Sequence, residues 1–327
     1  MKRRDFLRSA VAALAATGVA PAEAQATEEE IPRRVLGRTG QRVSIIGLGG
    51  AHIGALSDNA AIHLVRTAID NGVNFLDNSW DYGHGRNETL MGRALRDGYR
   101  QKVFLMTKID GRTAALAQQQ LEQSLARLEV DHVDLIQFHE VIRMDDPERV
   151  FAAGGGIEYL ERARADGKVR FIGFTGHKSP EIHLHMIDTA SRHGFTFDTV
   201  QMPLNVMDAH FDSFAQKVVP VANRLRMGIL GMKPLGCGAI PPTHTATPVE
   251  CLHYAMNLPI TTVIAGCDSM AVLEQTMDAA RTFHPLSSQE LTAILAKTAA
   301  AGQAGRFEAY KTTEIYDGTS RNPQWLG

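Results

Sequence analysis

Val43-Ser-Ile-Ile-Gly-Leu48 is a short apolar run that ends in glycines, and Val73-Asn-Phe-Leu76 is a second apolar run. Between them lies a segment, Asp58 to Asn71, whose apolar residues recur on one helical face. Asp58 can cap this helix, and Gly72 ends it. The first run is typical of a buried strand. This stretch therefore predicts a strand–helix–strand unit in which the two strands are parallel.

The same unit recurs along most of the chain, at intervals of about 30 residues, which is the size of one βα unit. Eight strands are predicted at Val43–Leu48, Val73–Leu76, Val103–Met106, Val133–Phe138, Val169–Gly173, Asp198–Gln201, Met227–Gly231 and Thr261–Ile264. Helices are predicted at Asp58–Asn71, Glu88–Arg96, Thr113–Leu128, Ile157–Ala165, Pro180–His193, Phe211–Arg226, Pro248–Asn257, Met270–Arg281 and Ser288–Ala300. Eight βα units predict an α/β fold, a closed (β/α)8 TIM barrel.

The ends of the chain add to this barrel. Val35-Leu36-Gly37 and Thr39-Gly40 indicate an N-terminal hairpin, and the residues after the last strand predict a C-terminal helical tail. No linker interrupts the pattern, so residues 33–327 are predicted to form a single domain. A doubly wound sheet is the competing fold. Its G-x-G-x-x-G fingerprint fails here, because Gly47-Leu-Gly49-Gly50-Ala-His52 has histidine at the third glycine position.

Composition excludes several classes of protein. The chain has 327 residues, 34 basic and 36 acidic side chains and a formal charge of −2. This balance gives no electrostatic footprint for nucleic acid. Three cysteines cannot form a disulfide framework, and the separations of Cys237, Cys251 and Cys267 are unlike those of zinc or iron–sulfur ligands.

Residues 1–26 are predicted to be a targeting segment. A basic start containing Arg3-Arg4 precedes an alanine-rich apolar run, and Ala22-Glu-Ala24 is a small-x-small cleavage pattern. Paired arginines followed by Phe-Leu resemble the twin-arginine signal, whose machinery exports folded proteins. We expect cleavage after Ala24, a periplasmic location and no permanent membrane anchor, because the run falls short of the roughly 20 residues that span a bilayer. An amphipathic N-terminal helix is the alternative.

Polar side chains follow the predicted strands at the end where a barrel carries its active site. These residues are Asp77, Lys108, His139, Thr175, Gln201 and Lys233. Such groups are costly to bury without partners, so we expect them to contact one another. With the nearby Tyr82 they suit protonation of an oxygen: Lys108 can favour the phenolate, Asp77 can hold Lys108, and His139 can donate to the substrate. A reduced nicotinamide would supply the hydride.

These motifs resemble the aldo-keto reductase family, bacterial members in particular, over Val35 to Ala280. The matching stretches are Phe75-Leu-Asp77-Asn-Ser-Trp-Asp-Tyr82-Gly83, Phe104-Leu-Met-Thr-Lys108, Asp134-Leu-Ile-Gln-Phe-His139, Gly167-Lys-Val-Arg-Phe-Ile-Gly173 and Val200-Gln201. The resemblance implies a catalytic tetrad: Tyr82 as general acid, Lys108 lowering its pKa, Asp77 fixing Lys108, and His139 orienting the carbonyl. It implies an NAD(P)H-dependent oxidoreductase that reduces an aldehyde or ketone to an alcohol.

The cofactor residues match that family less closely. The usual Ser-Asn after the fifth strand is replaced by Thr175-Gly-His177, and Gln201 matches the glutamine that holds the nicotinamide amide. Met232 stands where an aromatic ring usually stacks. Further cofactor contacts are predicted at Lys233, Pro234, Leu235, Gly266, Ser269 and Gln275. Ser269 and the helix after it can bind phosphate. The arginine expected for the 2′-phosphate of NADP falls near Val272, so the preference for NADP over NAD rests on the resemblance alone.

Position in the motifs indicates Trp80 and His52 as substrate contacts, with Asp81 and Trp325 as further candidates. No metal is predicted, because His183 and His185 would point to different faces of a helix. Two other functions remain open: a nicotinamide-nucleotide-binding barrel with little or no catalytic activity, and a metal-dependent barrel hydrolase. The partners we expect are a small carbonyl substrate and the twin-arginine export machinery.

Overall fold

The computed structural model describes residues 30–327. The predicted signal segment, residues 1–26, and its cleavage site after Ala24 lie outside the described residues. Within residues 30–327, helices long and apolar enough to cross a membrane are absent.

A closed barrel of parallel strands forms the centre of the fold, as the sequence predicts. Its strands are β3 (Ile46–Gly49), β4 (Phe75–Asp77), β5 (Phe104–Ile109), β6 (Val133–Phe138), β7 (Val169–Thr175), β8 (Thr199–Pro203), β9 (Gly228–Met232) and β10 (Thr262–Gly266). Each strand pairs with its neighbour along the chain, and β10 closes the barrel against β3 with Val263 opposite Ile46. Because all strands run the same way, the residues that follow them gather at one end.

Helices surround the barrel and continue into the tail. They are α1 (Asp58–Asp70), α2 (Arg86–Ala94), α3 (Ala114–Leu128), α4 (Asp146–Phe151), α5 (Gly156–Ala165), α6 (Pro180–Arg192), α7 (Phe214–Lys217), α8 (Val219–Arg224), α9 (Pro248–Asn257), α10 (Met270–Arg281), α11 (Ser288–Thr298), α12 (Ala309–Thr312) and α13 (Gly318–Arg321). Their apolar faces pack on the outer side chains of the strands and form the main core.

The first predicted strand is divided between two elements. Val43 and Ser44 belong to an antiparallel hairpin of β1 (Arg33–Val35) and β2 (Arg42–Ser44), and the barrel strand begins only at Ile46. Leu36 and Val43 of the hairpin are buried with the phenylalanines inside the barrel. The hairpin therefore covers the end of the barrel opposite to the predicted active site.

The predicted helix from Phe211 to Arg226 is wrong in extent. Ser213 caps the short α7, and α8 begins separately at Val219 with Pro220 in its first turn. Proline lacks the N–H that a continuous helix needs at this point, so the helix is broken before it.

The C-terminal tail, residues 303–327, crosses the loops that follow the barrel strands. The Arg112 N–H after β5 donates to the Leu326 carbonyl at 2.8 Å. The Glu140 carboxylate after β6 accepts from the amides of Gly318 and Thr319 at 3.0 and 2.7 Å. The tail thereby lies at the end of the barrel where the polar residues gather.

Candidate active site

Asp77, Lys108 and Tyr82 form one hydrogen-bonded group at the end of β4 and β5. The Lys108 ammonium donates to an Asp77 carboxylate oxygen, to the Asn78 carbonyl at 2.8 Å and to the Tyr82 hydroxyl at 3.3 Å. The side chains of Lys108 and Asp77 are 1% and 3% exposed. At such depth each charge needs the other, because an unpaired buried charge is strongly destabilising.

The loop after β4 brings Tyr82 back over the barrel mouth. The amide of Trp80 donates to the Lys108 carbonyl at 3.0 Å, which ties the loop to β5. A tight 3-10 turn spans Tyr82–Gly85, and Gly83 within it has φ of 57°. A Cβ on Gly83 would lie 2.3 Å from Asn87 Oδ1, so the turn requires glycine there.

The pKa of Tyr82 moves in the direction opposite to the sequence-based expectation. Burial of the phenol, and after it the negative charges of Asp77 and Asp81, raise the pKa of Tyr82 well above its ordinary value. The Lys108 charge is already paired with Asp77, so the phenolate gains less from it than the resemblance implied. Tyr82 is therefore protonated at neutral pH.

His139 stands directly after β6, with its ring edge-on to Tyr82 at 5.6 Å between centroids. Its Nδ1 faces three oxygens: Asp81 Oδ1 and Asp110 Oδ1, each at 3.2 Å, and Ser79 Oγ at 3.3 Å. Burial alone would lower the pKa of this imidazole, but Asp81 and Asp110 outweigh burial and raise the pKa of His139 to about 10. The ring is therefore a cation across the physiological pH range.

Gln201 joins this group from the far side of the barrel. Its Nε2 donates to Asp77 Oδ2 at 2.7 Å, so both oxygens of Asp77 are engaged. Its Oε1 is buried and has no hydrogen-bond partner. Thr175, a predicted cofactor residue, is paired with Gln201 in the sheet, is also buried and contacts Met232, with 3.9 Å between Oγ1 and Sδ.

His177 is less available to a cofactor than the sequence suggested. Its Nε2 lies 3.0 Å from Asp317 Oδ1 of the tail, and the Lys178 ammonium binds the other oxygen of Asp317 at 2.6 Å. Burial lowers the pKa of His177 despite Asp317, so the ring is neutral at pH 7 and donates to that carboxylate. One of its two nitrogens is thereby already occupied.

Lys233 lies under the tail. Its ammonium is 5.5 Å from the ring centroids of both Tyr310 and Tyr316. Its backbone has φ of 56°, and its carbonyl accepts from the Asn205 amide at 3.1 Å. The chain turns sharply here, so that Pro234 is buried and Leu235 is half-buried behind it.

The predicted residues after β10 lie along one loop. Gly266 ends the strand, Ser269 caps α10, and Gln275 is exposed on that helix. His52 lies here as well, and it is exposed. Its imidazole is close to Gly266: a Cβ added to Gly266 would lie 2.2 Å from His52 Nδ1. His52 therefore sits beside the predicted cofactor residues.

Trp80 has its polar atom and one ring edge engaged. Its Nε1 donates to Gln123 at 2.7 Å, and its ring meets Trp325 of the tail edge-on at 5.5 Å. The half-buried indole forms part of the rim of the mouth, near Tyr82 in the same loop.

The sequence reasoning missed Ser79, Asp110 and the tail carboxylate Asp317. Asp110 had a signal: it comes two residues after Lys108, and alternate residues of a strand point the same way. Asp317 had no such signal, because it is 140 positions from His177.

Asp81, Asp110 and His139 also offer three potential metal-ligand atoms within 4.8 Å of one another.

Comparison with known proteins identifies a matching family model and several relatives. Residues 45–250 match the model of the aldo/keto reductase family. An L-galactose dehydrogenase from Arabidopsis thaliana is 26% identical over 306 residues, covering 80% of this chain and 92% of that protein. The uncharacterized oxidoreductase YrpG from Bacillus subtilis (strain 168) is 29% identical over 226 residues, and the match covers 63% of this chain and 67% of that protein.

Solved structures share the fold. The holo form of the aldo-keto reductase AKR11C1 from Bacillus halodurans superposes with a TM-score of 0.70 at 21% identity. The match covers 82% of this chain and 96% of that chain.

Proposed function

Because the chain belongs to the aldo/keto reductase family, we propose that it is an NAD(P)H-dependent oxidoreductase that reduces an aldehyde or a ketone to an alcohol, with Tyr82 as the general acid. One observation carries the proposal. The Tyr82 hydroxyl lies 3.3 Å from the Lys108 ammonium, which is held by Asp77 in a buried pair. A protonated phenol at the barrel mouth, beside a cationic imidazole, suits transfer of a proton to oxygen.

The residues at the mouth fit a nicotinamide cofactor. The orphaned Oε1 of Gln201 can accept from a carboxamide, and Thr175 and Met232 lie beside it. Lys233 and the N-terminus of α10 at Ser269 would hold phosphate groups. When bound, the reduced nicotinamide supplies a hydride to the carbonyl carbon.

The chain's own side chains handle the oxygen. Tyr82 donates its proton, because an alkoxide is a much stronger base than a phenolate even when burial raises the pKa of the phenol. Lys108 stabilises the phenolate left behind, and Asp77 keeps the ammonium in place. The cationic His139 donates a charge-assisted hydrogen bond to the substrate oxygen as negative charge develops there.

Tyr82→Phe tests the assignment. It removes the proton donor and leaves the ring, so turnover of a carbonyl panel should fall about 100-fold or more, while the Kd for the nucleotide stays unchanged. Tyr99→Phe is the matched control, because Tyr99 bonds Asp70 before β5, at the opposite end of the barrel. Unchanged turnover in Tyr82→Phe would contradict the proposal.

The same panel tests the alternative function. Since one relative is named an L-galactose dehydrogenase, the panel includes L-galactose in the oxidation direction. Tight nucleotide binding with no turnover of any carbonyl would favour a nicotinamide-binding barrel with little catalytic activity.

We propose NADPH as the preferred cofactor on the family pattern, although Val272 brings no charge to the first turn of α10. Fluorescence titration with NADPH and NADH measures the preference. A lower Kd for NADH would refute it.

We also propose that the protein is exported folded to the periplasm and cleaved after Ala24. The support is the order of basic, apolar and cleavage regions in residues 1–26. Replacing both Arg3 and Arg4 by lysine should retain an uncleaved precursor in the cytoplasm. Fractionation and mass measurement of the mature N-terminus check this, and export of the double variant would contradict it.

A further inference from the structure

Asp110 is a buried carboxylate that the proposed reaction does not use. It is fully buried, its Oδ1 lies 3.2 Å from His139 Nδ1 as an ion-pair contact, and neither of its oxygens has a hydrogen-bond partner. A carboxylate at this depth is costly unless a cation faces it. The cation that Asp110 faces is the imidazolium of His139.

The backbone around Asp110 holds the carboxylate in place. The amides of Asp110 and Gly111 donate to Gln120 Oε1 at 2.8 and 2.7 Å. The fully buried Arg112 donates to the carbonyls of Asp110 at 2.8 Å and of His139 at 2.7 Å. The strand ends that carry the carboxylate and the imidazole are thus fixed relative to each other.

A second carboxylate faces the same ring nitrogen from a different element. Asp81, in the loop after β4, also lies 3.2 Å from Nδ1, and it is held by Ser79 Oγ at 2.5 Å. Two carboxylates around one nitrogen repel each other unless a proton, carried by the ring, lies between them. The charge of Asp81 is the largest effect that raises the pKa of the ring, and Asp110, whose own pKa is raised by burial, adds to it.

We propose that Asp110 is a positioning residue which, together with Asp81, keeps His139 doubly protonated by placing negative charge against its Nδ1, so that the opposite nitrogen presents a cationic donor to the substrate oxygen. This inference rests on the proposed function and deepens it. It identifies the source of the charge that stabilises the oxygen.

Other charges surround the ring without altering this assignment. Lys108 is paired with Asp77, and Arg112 is paired with Asp146 at 3.0 Å. The Glu140 carboxylate is engaged by two amides of the tail. Tyr82 is protonated. The two carboxylates at Nδ1 therefore dominate the protonation of the ring, in agreement with the raised pKa of His139.

Asp110→Asn tests the proposal without relying on activity. It keeps the shape and removes the charge, so the pKa of His139 should fall by about one to three pH units. NMR of histidine-labelled protein reports this pKa directly, and His139→Gln assigns the signal. We expect the wild-type ring to remain protonated from pH 6 to pH 9 and the variant ring to titrate in or near that range.

Turnover gives a second reading. The kcat/KM of Asp110→Asn, divided by that of the wild type at the same pH, should fall steeply as the pH rises from 6 to 9. A merely structural loss would lower this ratio equally at every pH. Asp188→Asn, on the exposed face of α6, controls for a change of net charge. If Asp110→Asn does not fold, the same NMR and kinetic measurements are made on Asp81→Asn, with the same expected results.

Three results would overturn the proposal: a wild-type His139 that titrates near 6.5, a ring pKa that is unchanged in Asp110→Asn, or a stoichiometric divalent metal ion that is lost in this variant. The last result would mean that the cluster holds a metal rather than a proton. Absence of turnover in every variant would refute the proposed function but leave the NMR result intact, so the two failures are distinguishable.

Discussion

Glu308 stands in a buried network that anchors the tail over the barrel mouth. Its Oε1 accepts from the Tyr310 hydroxyl at 2.9 Å and lies 3.0 Å from the Lys311 ammonium, while its Oε2 has no partner. Asp208 shares the same ammonium at 2.8 Å. Burial raises the pKa of Glu308 to about 7; Lys311 opposes the rise and Asp208 adds to it. Two carboxylates thus share one buried cation.

Glu308→Gln should make the protein more stable at alkaline pH. The folded-state pKa of about 7 exceeds the ordinary 4.5, so the fold favours the protonated form. The stability contributed by this group is fully present below about pH 4.5 and is lost as the pH rises through 7. The difference corresponds to about 3 kcal/mol at pH 8 and to less than about 1 kcal/mol at pH 5. Glutamine mimics the neutral form and avoids that loss.

Urea unfolding at pH 5 and at pH 8 measures the effect. We expect the free energy of unfolding of the variant to exceed that of the wild type by up to about 3 kcal/mol at pH 8, and the two proteins to differ little at pH 5. Glu314→Gln, on the exposed part of the tail, is the control and should change neither value. Equal stability of Glu308→Gln and wild type at pH 8 would refute the reasoning, because it would mean that Glu308 is not forced to ionise in a buried site.

Two further predictions concern buried pairs at the mouth. Lys108→Met should abolish turnover and lower the free energy of unfolding by about 3–5 kcal/mol, because it leaves Asp77 unpaired. Adding Asp77→Asn should restore much of the stability but none of the turnover. Full stability in the Lys108→Met variant would contradict this prediction. Asp317→Asn should loosen the tail, because His177 and Lys178 hold this carboxylate and lower its pKa against burial; faster hydrogen exchange at the Thr319 amide would show it, and unchanged exchange would exclude it.

Much of the site was predictable because its residues are tied to strand ends. The period of the βα units predicts where each strand stops, and parallel strands bring those ends together. Asp77, Lys108 and His139 are each at or next to such an end, and Tyr82 follows the first of them in the same loop. Their contacts in the structure follow from that arrangement. Their roles in turnover remain proposals.

The protonation of these groups was not predictable from spacing. The sequence suggested that Lys108 would lower the pKa of Tyr82, whereas burial and nearby carboxylates raise it. The direction depends on the depth of the phenol and on which charges are already paired, and neither quantity is encoded in residue order.

The amino-acid sequence by itself determined the barrel and, to within about three residues, where its strands end, because apolar periodicity and helix caps act between residues close in the chain. Only the tertiary structure decided that Asp110 faces His139 and that the tail's Asp317 binds His177. These contacts join residues separated by 29 and 140 positions and depend on how far each group is removed from water. A carboxylate that would be unremarkable on the surface becomes, when buried beside an imidazole, the group that sets its charge.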